Sequence, residues 1–130
     1  MKAEELRVGN WVKDIKKGYG FIEAIETNWV AACFNCGFGM GVYKILITEI
    51  EPIPLTEELL KKCGFQQRPI RNDSYSLCLQ EFCIYRNKDT CHFELPNEYG
   101  GTGSYVEIKS LHQLQNLYFA LTGEELEMNF

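Results

Sequence analysis

Short apolar runs alternate with glycine and polar pairs through the first half of the chain, a pattern that predicts a meander of strands at 11–15, 19–26, 29–34 and 42–48. Lys16-Lys17-Gly18, Thr27-Asn28 and the segment CFNCGFGMG at 33–41 separate them. In the last of these strands Tyr43, Ile45 and Ile47 are all large and apolar, which suits an inward face, whereas Val42, Lys44, Leu46 and Thr48 make a mixed outer one. A small, strongly bent barrel closes such a sheet without leaving a long edge.

The pattern then changes. In EPIPLTEELLKKCGF, Pro52 and Pro54 hold the chain extended, Thr56 is placed to cap a helix, and Glu57 and Glu58 favour its positive N-terminal end. Lys61 and Lys62 stand at the other end and Gly64 fits the left-handed position just past it, so a helix of about two turns is expected. Strand patterns return after Phe65: a hairpin of 75–79 with 82–86 over Gln80-Glu81, and 91–95 paired with 105–109 across a glycine-rich connection. Ser110 with Gln113 reads as a capping box, and Leu111, Leu114, Leu117, Tyr118 and Leu121 form a helical stripe ended by Gly123. That helix is expected to cover the second sheet, with 124–130 adding an edge strand or trailing off.

The opening LRVGNWV, the strand after Gly18 and the tight succession of strands resemble an SH3-like small barrel. The expected class is therefore α+β: an N-terminal SH3-like small β-barrel, a short helix, and an antiparallel sheet packed by a C-terminal helix. The lobes are 1–53 (barrel) and 54–130 (α+β), joined as one compact unit.

Composition narrows the chemistry. A net charge of -5 and a pI near 5.1 argue against non-specific nucleic-acid binding, which is driven by counterion release at clustered Lys and Arg. Small basic groups exist at Lys13, Lys16 and Lys17, around Asp14, and at Arg68 and Arg71; such groups are ordinarily solvated loops. The N-terminus carries no apolar leader core and no long apolar run occurs, so a cytoplasmic location and no membrane contact are expected. The six cysteines are then expected as reduced thiols, mostly small buried hydrophobes.

Cys33 and Cys36 have the spacing of one zinc knuckle, but no second knuckle follows. A site patched from these two and two of Cys63, Cys78, Cys83, Cys91 or His92 breaks the usual spacing, so no metal and no cofactor are assigned. A redox pair would sit at a helix N-terminus, and Gly37, Gly39 and Gly41 do not start a helix. Cys33 instead reads as a strand-end residue and Cys36 to Gly41 as a hairpin connection. Of the two histidines, His112 falls beside the leucine stripe as a surface or capping residue, and His92 alternates outward between inward Cys91 and Phe93. The loop NEYGGTGSY at 97–105 lacks the lysine and following helix of a phosphate loop and reads as a hairpin connection. No catalytic residue is assigned.

Two segments, PIPLTEELLKKCGF and HQLQNLYFALTGEEL, and more loosely LRVGNWV, resemble a family of short uncharacterised proteins from gut bacteria, their phages and prophages. The resemblance implies an accessory protein of a mobile element acting in a bacterial cytoplasm, and it carries over no catalytic or ligand-binding residue.

Function is expected to be non-enzymatic binding, with a protein as partner. The candidate surface is the aromatic set of the first lobe, Trp11, Tyr19, Phe21, Trp29 and Tyr43, because small barrels present such residues on grooves. Two alternatives stand beside it: an antagonist of a bacterial defence system, acting by nucleic-acid mimicry or by sequestering a nucleotide signal, and an enzyme whose site assembles only in the fold.

Overall fold

A computed structural model describes residues 1–35, 40–71, 74–79, 82–87, 90–96 and 102–128. The fold is α+β, with a curled five-stranded antiparallel half-barrel sheet, a second antiparallel sheet and a C-terminal helix. By contacts the chain divides into two units, Met1–Pro54 with Ser110–Leu121, and Leu55–Lys109 with Thr122–Phe130.

In the first unit β1 (Trp11–Asp14), β2 (Gly18–Ile25), β3 (Trp29–Asn35), β4 (Met40–Leu46) and β5 (Ile50–Glu51) lie in the order β4-β3-β2-β1-β5. The fifth strand is too short to show as a pattern in the sequence. A register shift between Ile22 and Ala24 bends β2, the way a bulge curls a sheet that would otherwise stay flat. Val12, Ile22, Val30, Ala32, Phe34, Ile45, Ile47 and Ile50 fill the concave side, with Leu6 among them. Alternation in β4 follows the sequence reading: Ile45 and Ile47 are buried while Val42, Lys44 and Leu46 are exposed.

The twelve-residue α2 (Leu111–Thr122) was expected over the second sheet, but its residues through Leu121 belong to the first unit. Its buried positions are Leu111, His112, Leu114, Gln115 and Tyr118, whereas Leu121 is exposed. The buried stripe is thus turned from the leucine stripe toward two polar residues. The reason is the loop it meets, which offers backbone groups that the sheet leaves unpaired. Gln115 Oε1 accepts from the Trp11 N–H at 2.8 Å, and Gln115 Nε2 donates to the Gly9 carbonyl at 3.0 Å. Gly9, at φ 95°, holds the left-handed conformation that turns this carbonyl outward. Asn10, fully buried, accepts from the Arg7 N–H at 2.7 Å and donates to Asn116 Oδ1 at 2.8 Å, while Asn116 Nδ2 donates to the Glu5 carbonyl at 3.0 Å. The Leu111 N–H donates to the Ile53 carbonyl at 2.8 Å, and Pro54 forms a bridge with Ser110. LRVGNWV and HQLQN therefore meet in one polar latch, and the start of PIPLTEE pairs with Ser110 and Leu111 just before HQLQN.

The second unit begins with α1 (Glu57–Lys62), built as its sequence predicts. Thr56 Oγ1 accepts from the Leu59 N–H at 3.1 Å, and Lys61 pairs with Glu57 at 3.1 Å on the exposed side. Gly64 at φ 93° closes the helix: its N–H reaches Lys61 O at 3.0 Å, and that of Phe65 reaches Leu60 O at 3.1 Å. This double closure satisfies carbonyls that the helix end leaves open.

Strands β6 (Gln66–Arg71), β7 (Ser74–Leu79), β8 (Phe82–Asn87), β9 (Thr90–Pro96) and β10 (Thr102–Ile108) form a sequential antiparallel sheet in the order β10-β9-β8-β7-β6. The expected pairs β7–β8 and β9–β10 are present. β6 escaped the sequence reading because Pro69 interrupts it, and a proline is tolerated there since β6 is an edge. Phe82 stacks on Phe93 at 4.9 Å and meets the edge of Phe65 at 6.1 Å. After α2, residues 124–128 form no strand, and Leu126 is buried.

Cys78 and Cys83 are directly opposite across the β7–β8 hairpin and joined by a disulfide, a correction to the expectation of reduced thiols. The predicted pairing of 75–79 with 82–86 already implies 78 opposite 83, and the register sets these two side chains on the same face; the misreading concerned their oxidation state.

Candidate binding face

Strand register sorts the five candidate aromatics. Trp11, Phe21, Cys33 and Val42 lie in one row across β1, β2, β3 and β4 on the convex side, and Lys13 with Tyr19 form the next convex row. Trp11 and Phe21 meet edge to face at 5.5 Å. Tyr19 is 43% exposed, so this part of the face is open to solvent. Trp29 is also convex but pairs with Leu46, at the far end of β3 from this row, and Lys44 Nζ stands 4.3 Å from its ring centroid.

Tyr43 departs from the set. It lies in the row of Ile22 and Ala32, on the concave side, with its ring over Gly41, 6.3 Å from Phe34 and 5.0 Å from Lys17 Nζ. The candidate residues therefore divide into a convex cluster of Trp11, Tyr19 and Phe21, a separate convex Trp29, and Tyr43 at the concave rim.

The basic turn between β1 and β2 is organised by Asp14 rather than left as a loose loop. Asp14 Oδ1 accepts from the N–H groups of Lys16 and Lys17, both at 2.9 Å. Burial works against its ionisation, yet these two backbone donors and the charges of the same lysines hold its carboxyl below the ordinary aspartate value.

Cys63 and Cys91 are packed into the structure. Burial pushes the Cys63 thiol up to about 12, and its Sγ lies 3.2 Å from Met128 Sδ, so it is no nucleophile near neutral pH. Burial likewise raises Cys91, partly offset by Arg86. His92 is half-buried and stacks on Tyr85 at 5.6 Å, outward of the buried Cys91 and Phe93 as its alternation predicts.

His112 corrects its surface reading, being only 3% exposed. Its Nδ1 lies 3.1 Å from Ser110 Oγ, and its Nε2 has no hydrogen-bond partner among the described residues. Burial lowers its pKa below 6.5, Glu5 raises it in part, and the N-terminal amine adds to the lowering. The fold thus holds His112 neutral while the unfolded chain takes up a proton below pH 6.5, so the unfolded state binds more protons there. Stability should fall as the pH drops through the ordinary histidine range and level off below the folded pKa. Chemical denaturation at a series of pH values should show this slope, and His112→Gln should flatten it; an equal slope in the variant would contradict the assignment.

Among the described residues, no group of three or more His, Cys, Asp or Glu side chains is gathered as a metal site. Cys33 is buried in β3, Cys78 and Cys83 are consumed by their disulfide, and Cys36 lies outside the described residues, as do Gly37, Gly39, Gln80, Glu81 and Asn97–Gly101. A shallow groove of about 850 Å³ runs beside the N-terminus, where Lys2 and Glu4 face Asn28 and Thr48. Its lining contains no histidine or cysteine to serve as base or nucleophile. No described helix is long and apolar enough to cross a membrane.

Sequence reasoning missed Asn10, Gln115 and Asn116. Polar residues on a helix ordinarily face water, and only their place inside the segments LRVGNWV and HQLQNLYFALTGEEL pointed to them. The chain matches no protein-family model, no curated protein and no solved structure.

Proposed function

We propose that this protein is a non-enzymatic binding protein, an accessory protein of the phage or prophage type, that takes a protein partner on the convex face of its curled sheet. The observation that carries this reading is the joining of Trp11, Phe21 and Tyr19 in adjacent convex rows, with Tyr19 and Val42 exposed. Rigid aromatics on a sheet supply large contact area at little entropic cost. The shifted titratable groups support binding over catalysis, because His112, Cys63 and Cys91 are each buried in the interior and Asp14 is spent on the backbone of its own turn. The short, bent meander is also in keeping with an SH3-like barrel, a fold whose members bind peptides through exposed aromatics.

Affinity capture from infected bacterial cells, read by mass spectrometry, tests this reading with wild-type protein and a folded Tyr19→Ser variant side by side. A partner enriched by the wild type and lost by the variant supports it. Recovery of the same proteins by both, or of none above background, would sink it. A captured nucleic-acid-binding component of a defence system would favour the antagonist form of the same proposal.

A further inference from the structure

We propose that β4 is an acceptor strand, whose free edge adds an extended acidic segment of the partner by backbone pairing. The inference rests on the binding reading above and names the partner's chemistry.

The two sheets have four edges, and three of them carry a feature that discourages strand addition. β5 has only two residues and runs into Pro52; β6 contains Pro69; β10 is broken by a register shift between Thr102 and Tyr105. β4 has none of these three, and its one guard is the charge of Lys44. All seven of its residues pair in unbroken register with β3, and among the described residues no strand pairs with its other side. Alternate residues therefore turn N–H and C=O groups outward along its whole length. The side chains there are open as well: Val42 is 57% exposed, Tyr43 40% and Leu46 49%.

Charge selects the occupant. β4 contains Lys44 and no carboxylate; Lys44 lies over Trp29 on the convex side, and Lys17 lies over Tyr43 on the concave side. Both faces of the strand thus present a cation held by an aromatic ring. At the Leu46 end Glu4 lines the adjoining groove and Glu49 follows the strand. An added segment would therefore set its acidic residues beside Tyr43 and Lys44. A second copy fits less well: two-fold pairing of β4 with itself sets two Lys44 side chains on one face, between chains that each carry a net charge of -5.

The probes are short peptides alternating glutamate with valine or lysine with valine, titrated into the full chain and followed by calorimetry and by hydrogen exchange of the β4 amides. The glutamate peptide should bind saturably and protect those amides, the lysine peptide should not, and Lys44→Glu should weaken binding by about tenfold or more. Neighbouring residues turn their N–H groups to opposite sides, so one of Val42→Pro and Tyr43→Pro spares the β3 pairing and removes an outward donor. That variant, identified by a native circular dichroism spectrum, should lose the peptide.

No saturable binding, equal binding of both peptides, or unchanged binding by the folded proline variant would overturn the proposal. A dimer that the same proline variant converts to monomer would overturn it in favour of a second copy. Loss of the cellular partner in Tyr19→Ser but not in the proline variant would overturn the edge inference while leaving the binding reading intact.

Discussion

Gln115→Ala should lower the unfolding free energy by about 4 kcal/mol, measured by urea denaturation. The side chain is 1% exposed and satisfies two backbone groups at once, the Trp11 N–H and the Gly9 carbonyl. Truncation strands both groups away from water, each at about 1–3 kcal/mol, and leaves a void where the methylenes were. Gln115→Met separates the two contributions, because it keeps most of the volume and loses both hydrogen bonds; about 3 kcal/mol should remain. A cost below about 1 kcal/mol for either variant would mean that the helix is held by its leucines alone.

Gly20→Ala should cost about 3 kcal/mol, from crowding rather than from a lost contact. A Cβ at this position would stand 2.5 and 2.6 Å from Cδ1 and Cε1 of Phe34 and 2.8 Å from the Cys33 carbonyl oxygen. Phe34 is fully buried in the core of the curled sheet, so its ring has nowhere to go, and the carbonyl belongs to the paired neighbouring strand. The two residues are cross-strand partners, a large ring laid over a glycine. Adding Phe34→Leu to Gly20→Ala should therefore recover part of the loss, although Phe34→Leu alone destabilises. A double-mutant cycle measures this coupling, and strict additivity would show that ring and glycine do not compete for the same space.

Both predictions concern residues whose importance the sequence shows unevenly. Local signals were legible wherever one turn of chain contains its own physics. Thr56, Lys61, Lys62 and Gly64 build α1 as read, because capping and helix closure involve residues within about one turn of each other. The β-meander and the outward turn of His92 were likewise legible from alternation. Misreadings arose where a distant partner decided. The leucine stripe of α2 pointed to a purely apolar contact, but the loop at 7–11 presents unpaired backbone groups that Gln115 turns inward to meet, while Asn116 bonds the Asn10 side chain and the Glu5 carbonyl. His112 was carried inside by the same rotation.

The candidate face shows the same division. Aromatic abundance in the first lobe was plain from composition, yet register alone put Trp11, Tyr19 and Phe21 together, placed Trp29 at the other end of β3, and turned Tyr43 to the concave rim. A shift of one residue in pairing would reverse the face of each of these side chains, since side chains alternate between faces.

By itself, then, the sequence determined the class of fold, the order of most strands and the capping of α1, because hydrophobic period and local hydrogen bonds act over a few residues. Tertiary structure alone decided that α2 latches onto the opening loop and that β4 ends its sheet, with no strand beyond it among the described residues. Those outcomes depend on which backbone groups remain unsatisfied after the strands pair, and no single stretch of chain contains that information.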